Sequence, residues 1–352
     1  MTDKVLDALV IGAGQAGLAA AYYLQQHGAD FVVLDERPAV GDVWATRFEA
    51  LRLFSPAWAS GLPGFPWPGS ALRYPTKDEA AAYLQAYAAH FRFPVHLGQQ
   101  VVQLAAADND VSYTVETAAG SVYHARRVIV STGAYTAPRI PNFAAELPAY
   151  VQQLHSSQYH QAAQLSGKGP VAVVGSGNSA LQIAADLARA SWPVFAAFDD
   201  KTGAFPNNHV TWLLLKGSGF LRLPRATTIG RHIMQQPEPV VRGDLQQLRR
   251  FPNARFIGRA TGATPQGILL AQRHTTPPLQ AVVWATGFRP DYAWIKLPIF
   301  EPDGTPRHQR GITQASGLAF LGLPWLNSRS SALMGGVGAD ARCVVSRLLK
   351  ST

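Results

Sequence analysis

Cysteine is nearly absent from this sequence, because Cys343 is the only one among its 352 residues. A disulfide within the chain is therefore excluded, and so is a Cys-x-x-Cys redox pair. Cys343 lies in an apolar helical pattern near the C-terminus, which favours an inert core thiol over a reactive one. We expect neither a metal site nor a catalytic triad.

Long apolar runs are missing as well. No segment is long enough to cross a bilayer, and the charged residues Asp3, Lys4 and Asp7 do not fit a secretory signal. We therefore expect a cytoplasmic protein without a membrane span. An apolar content of 47% with a charged content of 15% is typical of a well-buried globular protein, and 352 residues suit two domains.

Basic tracts are lacking too, although the formal net charge is +9. The positive charge is spread along the chain, with Arg126/Arg127 and Arg249/Arg250 among its densest groupings. No nucleic-acid motif accompanies them, so we expect a solvated basic surface and no nucleic-acid partner. A basic surface attracts phosphate-bearing cofactors.

The sequence does contain a strand, a glycine-rich turn and a helix at its start. The apolar run 9–11 predicts a buried strand, and the helix that follows ends near Gly28. Gly12 permits the tight turn, Gly14 lets the backbone approach a pyrophosphate, and Gly17 lets helix and strand pack closely. The helix N-terminus offers free N–H groups and the positive end of its dipole to the phosphates.

A carboxylate follows this unit at the expected distance. The apolar run 31–34 ends in Asp35 and Glu36, and Asp35 lies 23 residues after Gly12. A carboxylate at this point accepts hydrogen bonds from an adenosine ribose. Strand, glycine turn, helix and acid in this order predict a dinucleotide-binding site.

The same plan occurs a second time in the chain. A later strand in each half also ends in Thr-Gly. The second copy consists of Gly175, Gly177 and Ala180, the strand 194–198 with Asp199, Asp200 and Lys201 after it, and Thr286-Gly287, which matches Thr132-Gly133 in the first copy. Two dinucleotide sites in one chain indicate hydride passage from a diffusible nicotinamide to a resident flavin.

Capping and strand patterns predict further elements. Thr76 and Glu79 form a capping-box pattern that starts a helix running to His90. The Pro-bearing segment 138–148 predicts a domain boundary. The remaining predictions are an antiparallel meander from the runs 101–104, 111–116 and 121–124, a hairpin from 255–259 and 268–272, a strand at 318–321 and a closing helix at 338–349.

Residues 37–79 form a long loop region rich in proline, glycine and aromatic side chains. Its rings fit a substrate pocket or a core beneath the loop, and we expect both in part, with Phe54 nearest the flavin. They include Phe54, Trp58, Phe65 and Trp67.

The apolar segment 210–225 carries Lys216, Arg222 and Arg225. It fits a lid or packing element better than a membrane-surface contact, because Gly217 and Gly219 interrupt a helix there.

Several motifs together carry a resemblance over nearly the whole chain. They are VIGAGQAG with Asp35, the GDVW segment, LRLFSP followed by GFPWP, HSSQY before GSGNSA, and ATGFRPD. With these motifs the sequence resembles the flavin-containing monooxygenases, most of all the small bacterial members of that family of two-dinucleotide-binding-domain flavoproteins.

The resemblance implies an α/β fold with two Rossmann-like domains. The NAD(P) domain, 151–287, would be inserted within a discontinuous FAD domain of 1–150 and 288–352. It also implies a monooxygenase with tightly bound FAD that uses NADH or NADPH and molecular oxygen. Its substrate would be a small soft nucleophile, a sulfide or an amine, oxygenated through a peroxyflavin. A homodimer is compatible with this interpretation.

Site residues follow from the same resemblance. For FAD they are Gly12, Gly14, Gln15, Gly17, Asp35, Glu36, Val43, Trp44, Ser55, Val101, Thr132, Gly133 and Arg329. For the nicotinamide cofactor they are Gly175, Ser176, Gly177, Asn178, Ser179, Asp199, Asp200, Lys201, Thr286 and Gly287. Phe54 is the residue assigned to the reaction centre.

The sequence departs from the family at several positions. Most important, Phe54 occupies the slot where family members commonly place Asn beside the flavin. An apolar ring cannot donate the hydrogen bond that an amide gives, which favours release of hydrogen peroxide over oxygenation. Smaller departures are Asp42 in the GDVW segment, Ala149 and Val151 upstream of His155, and His160 after Tyr159.

The residues after strand 194–198 bear on the preference between NADH and NADPH. Asp199 and Asp200 repel a 2′-phosphate and suit a free 2′-hydroxyl, and Lys201 partly offsets this. We therefore expect NADH to serve at least as well as NADPH. The alternative is that the two carboxylates only cap a surface turn.

His155 has two possible roles. It fits a linker that fixes the domain junction by hydrogen bonds better than an acid or base.

The activity of the protein also has two alternatives to a monooxygenase. They are a NAD(P)H–flavin oxidoreductase that reduces another acceptor or oxygen, and a non-catalytic nucleotide sensor. A dithiol reductase is excluded by the single cysteine.

Overall fold

A computed structural model describes residues 4–107, 113–199 and 201–350. The strands are β1 Val5–Leu6, β2 Ala8–Ile11, β3 Phe31–Leu34, β4 Val95–His96, β5 Val101–Ala106, β6 Tyr113–Thr117, β7 Val122–Ala125, β8 Val128–Val130, β9 Ala137–Pro138, β10 Gln152–His155, β11 Val171–Val174, β12 Val194–Ala197, β13 Ala204–Phe205, β14 Val240–Val241, β15 Ala254–Phe256, β16 Ala260–Ala263, β17 Leu269–Ala271, β18 Ala281–Trp284, β19 Phe288–Arg289, β20 His308–Gln309, β21 Ile312–Thr313 and β22 Leu318–Phe320. The α-helices are α1 Gln15–Gln26, α2 Asp42–Ala45, α3 Lys77–Phe91, α4 Asn178–Arg189, α5 His209–Gly217, α6 Thr228–Met234, α7 Arg242–Arg249 and α8 Val337–Leu348.

The first glycine turn lies at the end of a strand in a seven-stranded sheet. The strand order is β20-β21-β22-β8-β2-β3-β4, parallel from β22 to β4 and antiparallel at the β20 edge. Helices α1, α3 and α8 contribute buried apolar side chains to the core on this sheet. The continuous burial of β2 and β8 is what a parallel strand covered on both faces requires.

The second glycine turn lies in a separate, wholly parallel sheet of order β10-β18-β11-β12-β15. Helices α4 and α7 cover one face, and their leucines join the strand side chains in one core cluster. A second cluster that includes Trp284 and Leu269 covers the other face. The two α/β sheets confirm the predicted fold class.

The two connections between the halves pair with each other. β9, from the Pro-bearing segment, forms an antiparallel pair with β19 just after Gly287. Both chain crossings therefore occur at one place. We propose that they mark the predicted division into 1–150 with 288–352 and 151–287.

Most of the other predicted elements are present. Thr76 and Glu79 form a capping box, with the Thr76 hydroxyl accepting from the Glu79 N–H at 3.2 Å and the Glu79 carboxylate accepting from the Thr76 N–H at 2.8 Å. β5, β6 and β7 form the antiparallel meander, although residues 111 and 112 of its predicted middle strand lie outside the described residues.

The predicted hairpin is wrong in its first strand. β15 instead joins the five-stranded sheet beside β12, and the partner of β17 is β16. Gly258, with a φ of 80°, turns the chain between β15 and β16. An apolar run marks a strand but does not reveal which of two neighbours it pairs with.

Cys343 lies on α8 and is half-buried, so the prediction that it is a core thiol is wrong. Among the residues that the structure describes, no helix is long and apolar enough to cross a membrane.

Candidate dinucleotide-binding sites

In the first glycine turn, the backbone approaches Gly12 and Gly17 too closely for any side chain. Gly12 has a φ of 103°, and a Cβ there would lie 2.7 Å from the Ser131 carbonyl oxygen. A Cβ on Gly17 would lie 1.8 Å from the Gly12 oxygen. The Ser131 hydroxyl closes the turn by donating to the carbonyl oxygens of Ile11 at 2.9 Å and Gly12 at 3.0 Å. Only glycine fits at positions 12 and 17 without displacing this backbone.

Gly14 differs from these two glycines, because a Cβ there would meet nothing within 4 Å. It is the N-cap of α1, which begins at Gln15 with no side-chain cap and no acid in its first turn. By contrast, α3, α5 and α6 each begin with a side-chain cap, and α2, α7 and α8, which lack one, each have an acid in the first turn. The uncapped N–H groups and open space at Gly14 fit a pyrophosphate.

Asp35 follows β3 at the edge of this turn. One carboxylate oxygen accepts from the Ala13 N–H at 2.6 Å, and the other accepts from the Arg37 N–H at 2.8 Å. Asp35 is half-buried, whereas Glu36 is exposed and pairs with Arg37. The Gln99 N–H donates to the Asp35 carbonyl oxygen at 2.8 Å, which brings the start of β5 at Val101 to the same edge.

Two buried polar atoms of residues assigned to FAD have no hydrogen-bond partner among the residues that the structure describes. They are Trp44 Nε1 and the Thr132 hydroxyl. Trp44 and Val43 lie on α2, and Thr132 and Gly133 follow β8 at the carboxyl edge of the same sheet as Gly12. Buried donors without partners are uncommon, and a bound polar group at this edge would satisfy them. The residues present therefore fit a dinucleotide.

The second glycine turn repeats this geometry. A Cβ on Gly175 would lie 2.1 Å from the Ala285 carbonyl oxygen, whereas a Cβ on Gly177 would meet nothing within 4 Å. Gly177 is the N-cap of α4, again with no side-chain cap and no acid in the first turn. Each turn thus has a glycine with no room for a Cβ, Gly12 or Gly175, and an open glycine whose Cβ would meet nothing within 4 Å, Gly14 or Gly177.

Two side chains of the second turn accept hydrogen bonds from the main chain of neighbouring segments. The Ser176 hydroxyl accepts from the Asp199 N–H at 2.8 Å, and the Asn178 side-chain oxygen accepts from the Val241 N–H at 2.8 Å. The Asp199 carboxylate accepts from the Lys201 N–H at 3.0 Å, as in a capped turn. Ser179 is exposed, and Asp200 lies outside the described residues.

His155 fixes the junction between the halves. Its Nε2 donates to the Gly287 carbonyl oxygen at 3.0 Å, so Nδ1 is the acceptor for the Ser157 hydroxyl at 2.9 Å. Burial lowers the pKa of His155 and favours this neutral form. Both ring nitrogens are engaged, as the linker interpretation predicts. Beside it, the Thr286 hydroxyl donates to the Arg139 carbonyl oxygen.

The segment that carries Phe54 lies against α4. The main-chain N–H and carbonyl of Arg52 both contact the Gln182 side chain, at 3.4 and 3.5 Å. The Phe54 ring stacks on Trp212 of α5 with centroids 6.3 Å apart. Ser55 is buried, and its hydroxyl shares a 2.9 Å hydrogen bond with the Ser60 hydroxyl.

Arg329 lies before α8, and its guanidinium has partners of its own. It pairs with Glu238 at 2.7 Å and lies over the Trp325 ring at 5.5 Å. Its main-chain N–H donates to the Leu223 carbonyl oxygen at 3.2 Å. Arg329 therefore joins the segment between β13 and β14 to the loop before α8, which the sequence did not indicate.

Arg47 is a residue that the sequence analysis missed. Its guanidinium lies 5.1 Å from the centre of the Phe288 ring, which itself contacts His155. Burial is the main cause that lowers its pKa, and Arg37 adds to it. In the described part of the chain no carboxylate pairs with it. The sequence feature that could have indicated a functional Arg47 is its place three residues after Trp44, with no acidic neighbour before Glu49.

This is the two-dinucleotide-binding-domain fold of flavin monooxygenases. It superposes with a TM-score of 0.81 on the flavin-containing monooxygenase from Stenotrophomonas maltophilia, at 27% identity over 98% of both chains. A model of the pyridine nucleotide-disulphide oxidoreductase family matches residues 9–213.

An uncharacterized CzcO-like oxidoreductase of Geobacillus kaustophilus is 40% identical over 99% of both chains. The indole-3-pyruvate monooxygenase YUCCA1 of Oryza sativa is 34% identical over 183 residues, 52% of this chain and 45% of that protein. The chain belongs to the pyridine nucleotide-disulphide oxidoreductase family, together with the CzcO-like oxidoreductases.

Proposed function

We propose that the protein is a flavin-dependent monooxygenase that oxygenates a small sulfide or amine with NAD(P)H and molecular oxygen. The observation that supports it most is the repeated pair of glycine turns, each with an uncapped helix N-terminus and one open glycine. The monooxygenases of Stenotrophomonas maltophilia and Oryza sativa, to which the chain is similar, support the same activity.

FAD would occupy the first turn and the nicotinamide cofactor the second. Bound FAD would supply hydride acceptance and oxygen activation. The uncapped N–H groups of α1 would bind its pyrophosphate, Asp35 its ribose, and Trp44 and Thr132 its polar edges. His155 keeps the junction at Gly287 in place, and it needs no proton of its own to do so.

The direct test follows the purified protein with a small aryl methyl sulfide present. We expect flavin absorbance and sulfoxide that appears in step with NAD(P)H and oxygen consumption. Flavin with peroxide as the only oxygen product would instead favour the NAD(P)H–flavin oxidoreductase. A protein that stays colourless after reconstitution with FAD would contradict both.

Phe54 is the residue that favours the alternative activity, so we expect Phe54→Asn to raise the sulfoxide formed per NAD(P)H consumed. An amide can donate a hydrogen bond where the ring cannot. A net hydrogen bond of about 0.5–1.5 kcal/mol corresponds to a change of about two- to tenfold. Phe54→Leu, which also removes the ring that stacks on Trp212, is the control and should leave the ratio unchanged.

NADH is expected to support turnover with a kcat/KM at least equal to that of NADPH. The Asp199 carboxylate at the end of β12 disfavours a 2′-phosphate, and its hydrogen bond to the Lys201 N–H holds it there. Steady-state rates with each cofactor measure this ratio. A strict requirement for NADPH would mean that Asp199 only caps its turn.

Arg47 is expected to bind the phosphates of the nicotinamide cofactor. It is a half-buried cation over the ring of Phe288, and Gly175 of the second turn lies against Ala285, three residues before Phe288 in the chain. A charged hydrogen bond is worth about 1.5–3 kcal/mol, so Arg47→Ala should raise the KM for NAD(P)H by about 10- to 100-fold. The exposed neighbour Arg52→Ala is the control. An equal effect of both variants, or a loss in kcat alone, would contradict this role.

A further inference from the structure

Helix α5 presents apolar side chains to solvent. Val210, Leu213 and Leu214 are 66%, 60% and 67% exposed, and their spacing places them on one face of the helix. Trp212 points the other way and is buried against Phe54. Helices of globular proteins normally turn their apolar side inward, so an outward aliphatic face marks a contact surface.

Cationic side chains lie on α5 and in the short turn that follows it. The sequence from 202 to 237 contains no Asp or Glu, and it carries Lys216, Arg222, Arg225 and Arg231. Arg222 lies in the short turn Phe220–Arg222, which packs against α5. We call the exposed side chains of α5 and this turn, Val210, Leu213, Leu214, Lys216 and Arg222, the basic–apolar surface.

The glycines at 217 and 219 favoured a lid or packing element, but α5 forms over His209–Gly217 and leaves its aliphatic side chains exposed. We propose that the basic–apolar surface docks the protein on an anionic phospholipid membrane. Aliphatic side chains that enter the interface, flanked by Lys and Arg that meet anionic headgroups, are the features of a peripheral membrane contact. The surface adjoins the long aromatic loop, because Lys216 lies 5.0 Å from the Trp58 ring centre.

A second copy of the chain is a poorer occupant. In a two-fold interface the same surface faces itself, so Lys216 and Arg222 would face the same cations of the second copy with no acid from this segment between them. A protein partner is also less suited, because the exposed apolar side chains are aliphatic, whereas binding hot spots are enriched in Trp and Tyr.

Flotation with lipid vesicles tests this proposal on the full chain. We expect the protein to float with vesicles of phosphatidylglycerol and phosphatidylcholine in about equal amounts, and to be released by raised salt. It should not float with phosphatidylcholine alone. Leu213→Ser with Leu214→Ser should lower the partition coefficient at least about tenfold. Lys216→Gln with Arg222→Gln should lower it about fivefold per cation.

Matched controls are Val102→Ser with Val122→Ser on the meander sheet, and Lys168→Gln with Lys350→Gln, which should float like the parent chain. Absence of flotation at low salt would overturn the proposal. So would unchanged flotation of the leucine variant. A dimer that the leucine variant breaks, without any vesicle binding, would assign the surface to a second copy. None of these readouts depends on the monooxygenase activity.

Discussion

A Gly14→Val variant is expected to fold and to be purified without flavin. Gly14 has φ and ψ of −73° and −173°, which any residue can adopt, and its Cβ would meet no protein atom within 4 Å. The added side chain would therefore fill the space in front of the uncapped α1 N-terminus and nothing else. We expect the Kd for FAD to rise at least about 100-fold, which corresponds to about 2.7 kcal/mol.

The measurement is FAD titration of the apoprotein, followed by flavin fluorescence, with far-UV circular dichroism to verify the fold. Gly203→Val is the matched control, because its Cβ would meet only the Pro239 side chain at 3.9 Å. Gly17→Ala should behave in the opposite way and lose the fold, since its Cβ would lie 1.8 Å from the Gly12 oxygen. A Gly14→Val protein that binds FAD like the parent would place the flavin elsewhere.

Local rules were enough to predict both glycine turns. Strand burial, glycine spacing and helix length depend on neighbours close in sequence, so β2, α1, β11 and α4 appear near their predicted positions. The capping box at Thr76 is likewise a contact over three residues. The tertiary neighbours of these elements were not accessible in this way, and β15 was assigned to the wrong partner for that reason.

The side chains around the turns were harder to predict than the turns. Ser176 and Asn178 stay predicted to bind the nicotinamide cofactor, and their side-chain oxygens also accept from the main chain of Asp199 and Val241, which the sequence did not indicate. Arg329 pairs with Glu238, 91 residues away in the chain. Arg47 lies beside Phe288. Such contacts join segments that are distant in sequence, and no residue spacing records them.

A substitution in the second glycine turn should affect binding of the nicotinamide cofactor and leave FAD binding unchanged. Gly177→Val is expected to keep its flavin and to lose reduction by NAD(P)H. Gly177 has φ and ψ of −103° and 177° and open space at its Cβ, as Gly14 has. The valine would obstruct only the α4 N-terminus, while the first turn keeps its geometry. We expect the rate of anaerobic flavin reduction at limiting NAD(P)H to fall at least about 100-fold, or about 2.7 kcal/mol.

Stopped-flow absorbance measures this rate, and dithionite should still reduce the flavin at the parent rate because it needs no nucleotide site. Gly262→Val on β16 is the control in the same half, since its Cβ would make an ordinary 3.5 Å contact with Leu270. If Gly177→Val lost flavin instead, the two turns would be assigned in the wrong order. If it lost neither function, the α4 N-terminus would not bind the nicotinamide cofactor, and the repeated turn would be structural in the second half.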